Sequence, residues 1–229
     1  MRNIVLGLIG ASALAFASAA SAQACTGNCS LSVTPGVNPY AGPAPTYTFD
    51  SGSRPTTTGG NFEVGTPSGS LYAQPYGTDA GTGLYGGDGY YYSVGPSTSS
   101  PGLIDLTSFG NINSLSFIWG SVDSYNTLDI LDSSMNVLYE IVGGDIFNPA
   151  NGNRTDPNTN PLVTFSFTGS DVTNVSYLRL SSSINAFEID NLAINPVPEP
   201  ATWALMLLGF GGIGLAMRRR RKPALAQLA

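Results

Sequence analysis

Residues 115–119 read LSFIW and residues 163–168 read VTFSFT, and both stretches place a large apolar side chain at every second position. A period of two is typical of a β-strand that buries one of its faces. In the first stretch Leu115, Phe117 and Trp119 share a face, so we expect the Trp119 ring to lie in the core. Both stretches predict a fold built from short strands.

Further strands are predicted where the same period recurs between turn residues. They lie at residues 46–49, 61–64, 71–74, 90–94, 128–131, 137–142, 177–181 and 187–194. The chain of 229 residues contains 28 glycines and 16 prolines, which supply many turns, and the region shows no 3.6-residue period. The pattern therefore predicts an all-β fold with a single β-sandwich domain over residues 46–195.

The last predicted strand changes phase along its length. Phe187 and Ile189 point to one face of the strand, and Glu188 and Asp190 point to the other. Leu192 and Ile194 continue in the phase of the two acidic residues. A β-bulge adds one residue to a strand and so restores the facing of everything that follows it. We therefore predict a bulge at Asn191.

The first 22 residues have the composition of a secretory signal peptide. Arg2 supplies a positive start, an apolar run follows, and Ala20-Ser21-Ala22 forms a small-residue cleavage site. The signal peptide predicts export through the secretion translocon and cleavage by signal peptidase. Residues 23–45, which follow it, are predicted to form a flexible segment.

Cys25 and Cys29 are the two cysteines of the chain. Export places them in an oxidising compartment, where a short disulfide between them is predicted. Lipidation of Cys25 is the alternative, but Ala22 stands three positions earlier, where a lipoprotein signal carries a leucine-like residue. Two thiols without histidine are too few ligands for a closed zinc site.

The other end of the chain carries an apolar segment and a basic block. Residues 201–217 read ATWALMLLGFGGIGLAM, which as a helix would extend about 25 Å and is predicted to span a membrane. Residues 218–229 form a basic tail that is predicted to stay on the cytoplasmic side, as the positive-inside rule requires. The residues that stop and orient the helix are Arg218, Arg219, Arg220, Arg221 and Lys222.

The segment before this helix, residues 197–204, reads VPEPATWA and resembles the PEP-CTERM sorting signal in its PEPxxWA variant. The match places residues 196–200 as a proline-rich sorting motif, and its residues are Pro198, Glu199, Pro200, Trp203 and Ala204. The resemblance implies processing by an exosortase, a multi-pass membrane protease-transpeptidase of Gram-negative bacteria. It also implies association with exopolysaccharide and the biofilm matrix.

A weaker resemblance covers residues 45–195. The stretches IWGSVDSYN at 118–126 and NAFEIDNLA at 185–193 are similar to those of exosortase-dependent surface proteins with a jelly-roll domain. This resemblance implies that a strand at residues 47–50 pairs with the final strand. Together with the tail it predicts a protein that is transiently anchored in the inner membrane and then displayed at the cell surface or released.

The charge distribution excludes nucleic-acid binding. All fifteen carboxylates lie between Asp50 and Glu199, and the three arginines in that region do not balance them. Such a surface repels phosphate backbones. The chain has no histidine, so a serine–histidine triad cannot form, and we predict that the protein is not an enzyme. The remaining catalytic alternative is a secreted glycoside hydrolase, with candidate carboxylates Asp123, Asp129, Glu140, Glu188 and Asp190.

Two ligands fit an exported acidic domain, although no cofactor is predicted. Calcium is one, since residues 156–160 begin like a calcium loop, but Pro161 and Phe167 occupy the glycine and glutamate positions of an EF-hand. A glycan is the other, because Tyr90, Tyr91 and Tyr92 cannot all point inward from a strand and can form a platform for sugar rings. The leading prediction is a non-enzymatic surface or matrix protein. The alternative is a carbohydrate-binding module, with or without calcium.

Overall fold

The computed structural model describes residues 24–37, 40–67, 71–78, 89–197 and 200–220. The predicted signal peptide at residues 1–22 lies outside the described residues. So do two residues of the sorting motif, Pro198 and Glu199, and the end of the basic block at Arg221 and Lys222.

Eleven strands form two antiparallel sheets within the described residues. The first sheet contains β1 (Cys29–Thr34), β3 (Asn61–Val64), β4 (Tyr90–Val94), β6 (Ile112–Gly120), β9 (Leu162–Phe167) and β11 (Phe187–Pro196), in the order β1-β9-β6-β11-β4-β3. The second contains β2 (Thr57–Thr58), β5 (Gly102–Asp105), β7 (Asn126–Leu131), β8 (Val137–Val142) and β10 (Tyr177–Ser182), in the order β2-β5-β10-β7-β8. The predicted all-β class is confirmed.

Helices are few in the described residues. Two single-turn helices, α1 (Gly143–Ile146) and α2 (Asp171–Asn174), and two 3-10 turns, Thr107–Phe109 and Pro157–Thr159, connect strands. Near the C-terminus, α3 (Pro200–Arg220) covers the apolar segment that was predicted to be helical. In the part of the chain that the structure describes, we find no helix that combines the length and apolarity of a membrane span.

The strands from β4 to β11 pair in a nested order. β7 lies next to β8, β6 next to β9, β5 next to β10, and β4 next to β11, so the first strand of the series pairs with the last. Each nested pair falls in one of the two sheets. This order brings the start of β11, the last strand, between β4 and β6 in the first sheet.

Apolar side chains from both sheets form one buried core. Trp119 on β6 is fully buried and stacks on Phe187 of β11, with ring centroids 4.3 Å apart. Leu128 and Ile130 of β7, in the second sheet, belong to the same cluster. The prediction that Trp119 lies in the core is confirmed.

The predicted bulge in the last strand is also present. The pairing of β11 with β6 shifts register between Asp190 and Ala193, and Asn191 has a φ of 54°. After the shift, Leu192 and Ile194 lie in the core. The predicted strand at residues 46–49 is reduced to one antiparallel bridge, in which Tyr47 pairs with Leu192 of the final strand.

Three features differ from the sequence prediction. Residues 23–45 are not a flexible segment throughout, because β1 pairs with β9 along its whole length. Residues 71–74 form no strand, since the backbone N–H of Ala73 donates to a side chain instead of a ladder. The short strands β2 and β5 were not predicted. Cys29, the first residue of β1, is joined to Cys25 in a disulfide.

Candidate functional site

Two acidic residues of β11 lie on the face of the first sheet that points away from the core, and yet both are buried. Glu188 and Asp190 are 1% and 3% exposed, because residues 71–78 cross over this face of the sheet. The N–H of Ala73 donates to Glu188 Oε1 at 2.9 Å, and the hydroxyl of Ser121 donates to Oε2 at 3.0 Å. Glu188 therefore fastens the covering segment to the end of β6.

Burial governs the charge of both acids. Loss of solvent raises the pKa of Glu188 to about 8, although the hydrogen bonds from Ala73 and Ser121 oppose the shift. Burial also raises the pKa of Asp190 well above its ordinary value, against the hydrogen bond from the Asn191 N–H. At neutral pH the Glu188 carboxyl is mostly uncharged.

A pocket of about 200 Å³ opens beside Glu188. Four segments line it together with Glu188: Tyr72 and Ala73; Ser121, Asp123 and Tyr125; Asn151, Gly152 and Arg154; Asn185 and Ala186. No lining residue carries an aliphatic side chain longer than alanine. The pocket therefore offers hydrogen-bonding groups and tyrosine rings.

Asp123 is the half-buried carboxylate of this pocket. The hydroxyl of Tyr125 donates to Asp123 Oδ2 at 2.7 Å and also approaches the Asn185 carbonyl at 3.3 Å. Burial raises the pKa of Asp123, and the Tyr125 hydrogen bond partly offsets this effect. Burial and the adjacent Asp123 raise the pKa of Tyr125 as well, so its hydroxyl stays protonated and remains a donor.

The loop at residues 151–154 closes tightly against Asp123. Asn151 forms a backbone bridge with Asp123, and the N–H of Gly152 donates to the Val122 carbonyl at 3.0 Å. A Cβ on Gly152 would stand 2.2 Å from Asp123 Oδ1, and the φ of this glycine is +64°. Only glycine satisfies both the backbone conformation and the close approach to the carboxylate.

The predicted calcium loop at residues 156–160 uses its polar groups internally. Asp156 Oδ1 accepts from the backbone and side-chain N–H groups of Asn158, both at 2.9 Å. The buried Asn160 accepts from Ser121 N at 2.9 Å and donates to the Asp156 carbonyl at 3.0 Å, so it supports the pocket wall. Over the described residues, no group of three or more acidic, cysteine or histidine side chains is placed to hold a metal ion.

The predicted tyrosine platform is wrong. Tyr91 and Tyr92 have no exposed surface, and their hydroxyls donate to the carbonyls of Gly65 and Gly59 at 2.6 and 2.7 Å. Tyr90 is half-buried beneath the Arg54 guanidinium, 4.7 Å from its ring centroid. The three tyrosines therefore do not form a platform, because two of the rings are fully buried and the third is partly covered by Arg54.

The structure brings together two of the five predicted carboxylates, Asp123 and Glu188. Asp129 lies on the second sheet, where its Oδ2 pairs with Arg179 at 2.8 Å, and Glu140 is exposed beside it on β8. Asp190 is sealed under the covering segment. Sequence analysis did not assign the pocket residues Asn151, Gly152, Arg154 and Asn185 to a site, since they lie in loops without periodicity, and it placed Tyr72 in a predicted strand that the structure does not form.

From Pro200 onward, the described part of the C-terminal region is helical. Pro200 is the first residue of α3, Trp203 follows in its first turn, and Ala204 and Arg218 are exposed. The basic residues Arg219 and Arg220 are the last two of this helix. Upstream, the chain is fixed to the β domain as far as Val197, whose N–H donates to the Asn111 carbonyl at 2.8 Å.

The sequence matches the family model of the PEP-CTERM protein-sorting motif over residues 196–221. The matched region contains the proline motif, the apolar segment and four arginines, so the resemblance found in the sequence is confirmed. No curated protein and no solved structure matches the chain.

Proposed function

We propose that the chain, which carries a PEP-CTERM sorting motif at residues 196–221, is a non-enzymatic cell-surface or matrix protein displayed with exopolysaccharide. The motif at residues 196–221 is the observation that carries this proposal, because it supports export and exosortase-dependent sorting. The signal peptide directs the chain to the translocon, and signal peptidase removes it. The exosortase then acts on the opposite end of the chain.

In the proposed topology the apolar segment of α3 holds the precursor in the inner membrane, with the arginines in the cytoplasm. The Val197 N–H is hydrogen-bonded to the β domain, and Pro200 already begins α3. The sorting tripeptide therefore occupies the junction between the folded domain and the helix. Proline at both of its ends favours an extended peptide, a conformation that a protease can read.

The exported domain is proposed to be a jelly-roll β-sandwich. The nested pairing of β4 to β11 across two sheets with a shared core supports this architecture. Such a domain protects most of its strands by pairing, which suits a protein that persists outside the cell.

A non-enzymatic role is supported by the state of Glu188. A glycoside hydrolase needs two carboxylates that reach the substrate. Glu188 is 1% exposed, and each of its oxygens already accepts a hydrogen bond from the protein. The polar pocket beside it favours the second candidate function, carbohydrate binding, over hydrolysis.

The sorting proposal is tested by changing Pro198, Glu199 and Pro200 together to alanine in an exosortase-bearing Gram-negative host. We expect processing to stop, so that the precursor accumulates in the inner membrane with its C-terminal arginines attached. A matched control replaces Pro43 and Pro45 by alanine, since these form another Pro-x-Pro segment in the exported region. The control should be processed normally.

Mass measurement of surface-exposed protein gives the readout. The sorting proposal predicts a C-terminus upstream of the arginines, whereas an intact C-terminus at Ala229 would overturn it. Deleting residues 218–222 tests the membrane stop separately, because a helix without that charge is expected to pass through and release unprocessed protein.

A further inference from the structure

We propose that the pocket beside Glu188 binds a single sugar residue of a neutral polysaccharide, with Asp123 as its principal hydrogen-bond acceptor. This inference deepens the exopolysaccharide association proposed above and rests on it for the source of the sugar. Binding is measured on purified protein and sorting is measured in cells, so the two proposals fail separately.

The size of the pocket favours one ring. Its volume of about 200 Å³ is below the roughly 300–1,000 Å³ of sites for drug-sized ligands. The lining is held by hydrogen bonds: the N–H of Gly152 donates to the Val122 carbonyl, and the Asn185 side chain bonds to the N–H and hydroxyl of Ser97. A pocket of this size has room for one sugar ring, such as the end of a glycan chain.

The donors and acceptors of the pocket match a polyol. The Asp123 carboxylate accepts hydrogen bonds in positions fixed by Tyr125 and Gly152, and adjacent sugar hydroxyls can donate to it as a pair. Arg154 and Asn151 lie on the same wall and supply N–H donors for sugar oxygens. A hydroxyl both donates and accepts, so this mixture suits a sugar ring.

The charge of the pocket argues for a neutral ligand. Burial keeps the Glu188 carboxyl mostly protonated at pH 7, because its pKa is raised to about 8. Among the described lining residues, Asp123 and Arg154 then remain as one carboxylate and one guanidinium. A polyanion would meet a charge of its own sign at Asp123 and a divalent cation would meet one at Arg154, whereas an uncharged sugar would meet neither.

Two tyrosines complete the match. Tyr72 and Tyr125 are half-buried and belong to the lining of the pocket. Aromatic rings provide an apolar surface for the C–H face of a sugar while leaving its hydroxyls to polar groups. Both rings are partly accessible, whereas Tyr91 and Tyr92 are fully buried.

The test uses the full chain in a detergent without sugar head groups. Saturation-transfer NMR is recorded with the methyl glycosides of glucose, galactose and mannose, and with glucuronate, alanine and glutamate as comparison ligands. We expect at least one neutral glycoside to bind with a Kd in the low millimolar range, as a ligand of this size allows. Binding should persist in EGTA, since the site needs no calcium.

Asp123→Asn keeps the shape of the side chain and is expected to weaken glycoside binding by about tenfold or more. Arg154→Gln is a second variant, with an expected loss of about threefold to tenfold. Glu140→Gln makes the same carboxyl-to-amide change at an exposed position of β8 and should bind like the parent chain. Equal melting temperatures establish that each variant is folded.

Three results would overturn the proposal. The first is no saturation transfer to any neutral glycoside, and the second is equal affinity in Asp123→Asn and the parent chain. The third is binding of alanine, glutamate or glucuronate at this site in place of the neutral glycosides.

Discussion

We expect the free energy of unfolding to fall as the pH rises, because Glu188 is buried, and we expect Glu188→Gln to remove much of that fall. Glutamine keeps an oxygen for the Ala73 N–H, and its amide can donate to the Ser121 hydroxyl. The substitution therefore preserves both contacts and removes only the ability to ionise. Its effect isolates the cost of placing a carboxylate under residues 71–78.

The direction and size of the effect follow from the pKa. Glu188 has a pKa of about 8 in the folded protein and an ordinary value of 4.5 when exposed. The folded state holds a proton that the unfolded chain releases, so the contribution of Glu188 to the free energy of unfolding is greatest below pH 4.5 and falls until about pH 8. At about 1.36 kcal/mol per pH unit, the whole interval corresponds to about 5 kcal/mol. That loss is a large part of the roughly 5–15 kcal/mol that stabilises a typical domain.

Urea denaturation between pH 5 and pH 9 measures this dependence. The parent chain should lose several kcal/mol over this range, whereas Glu188→Gln should be about as stable as the parent at pH 5 and clearly more stable at pH 9. Some slope will remain, because burial raises the pKa of Asp190 in the same direction. Glu140→Gln, at an exposed position, should follow the parent curve. Parallel curves for Glu188→Gln and the parent would refute the reasoning.

The other predictions concern the core and the edge of the first sheet. Trp119→Ala should cost about 3–5 kcal/mol in urea denaturation, because the ring is fully buried and stacked on Phe187, whereas Trp119→Phe should cost much less. A loss below about 0.5 kcal/mol for the alanine variant would place the ring at the surface. A chain of residues 24–197 should show one cooperative thermal melt with a β-type circular dichroism spectrum, and a chain that starts at residue 45 should be less stable by about 2 kcal/mol, since it lacks β1. Equal stability of the two chains would show that β1 is dispensable.

Several strands could be predicted from the sequence nearly to the residue. β3, β4 and β8 have the predicted bounds, because each carries large side chains between clear turn signals. β9, which alternates strictly, begins and ends within one residue of the predicted stretch. β1 carries the same alternation in Cys29, Leu31 and Val33, but small serines separate these residues. Its stability comes from pairing with β9, a distant partner that a local pattern does not reveal.

The sequence identified the two carboxylates of the pocket, Asp123 and Glu188, as candidate site residues. It could not show that they line the same pocket, because that depends on the nested order of the strands and on a loop that needs glycine at 152. The burial of Tyr91 was unpredictable for a related reason. Residues 71–74 were predicted to be a strand, but they belong to the segment 71–78 that crosses the sheet, where the Tyr72 and Tyr91 ring centroids lie 6.4 Å apart.

The bulge at Asn191 connects the fold with the pocket. Without it, a strand that buries Phe187 and Ile189 would turn Leu192 and Ile194 away from the core. The bulge lets the first half of β11 place Glu188 and Asp190 on the outer face, while the second half buries Leu192 and pairs it with Tyr47. One irregular residue therefore allows the same strand to close the core and to supply the floor of a polar pocket. The phase change in the sequence thus indicates two features. It marks the bulge, and it places Glu188 and Asp190 on the outer face of the sheet, which residues 71–78 cover.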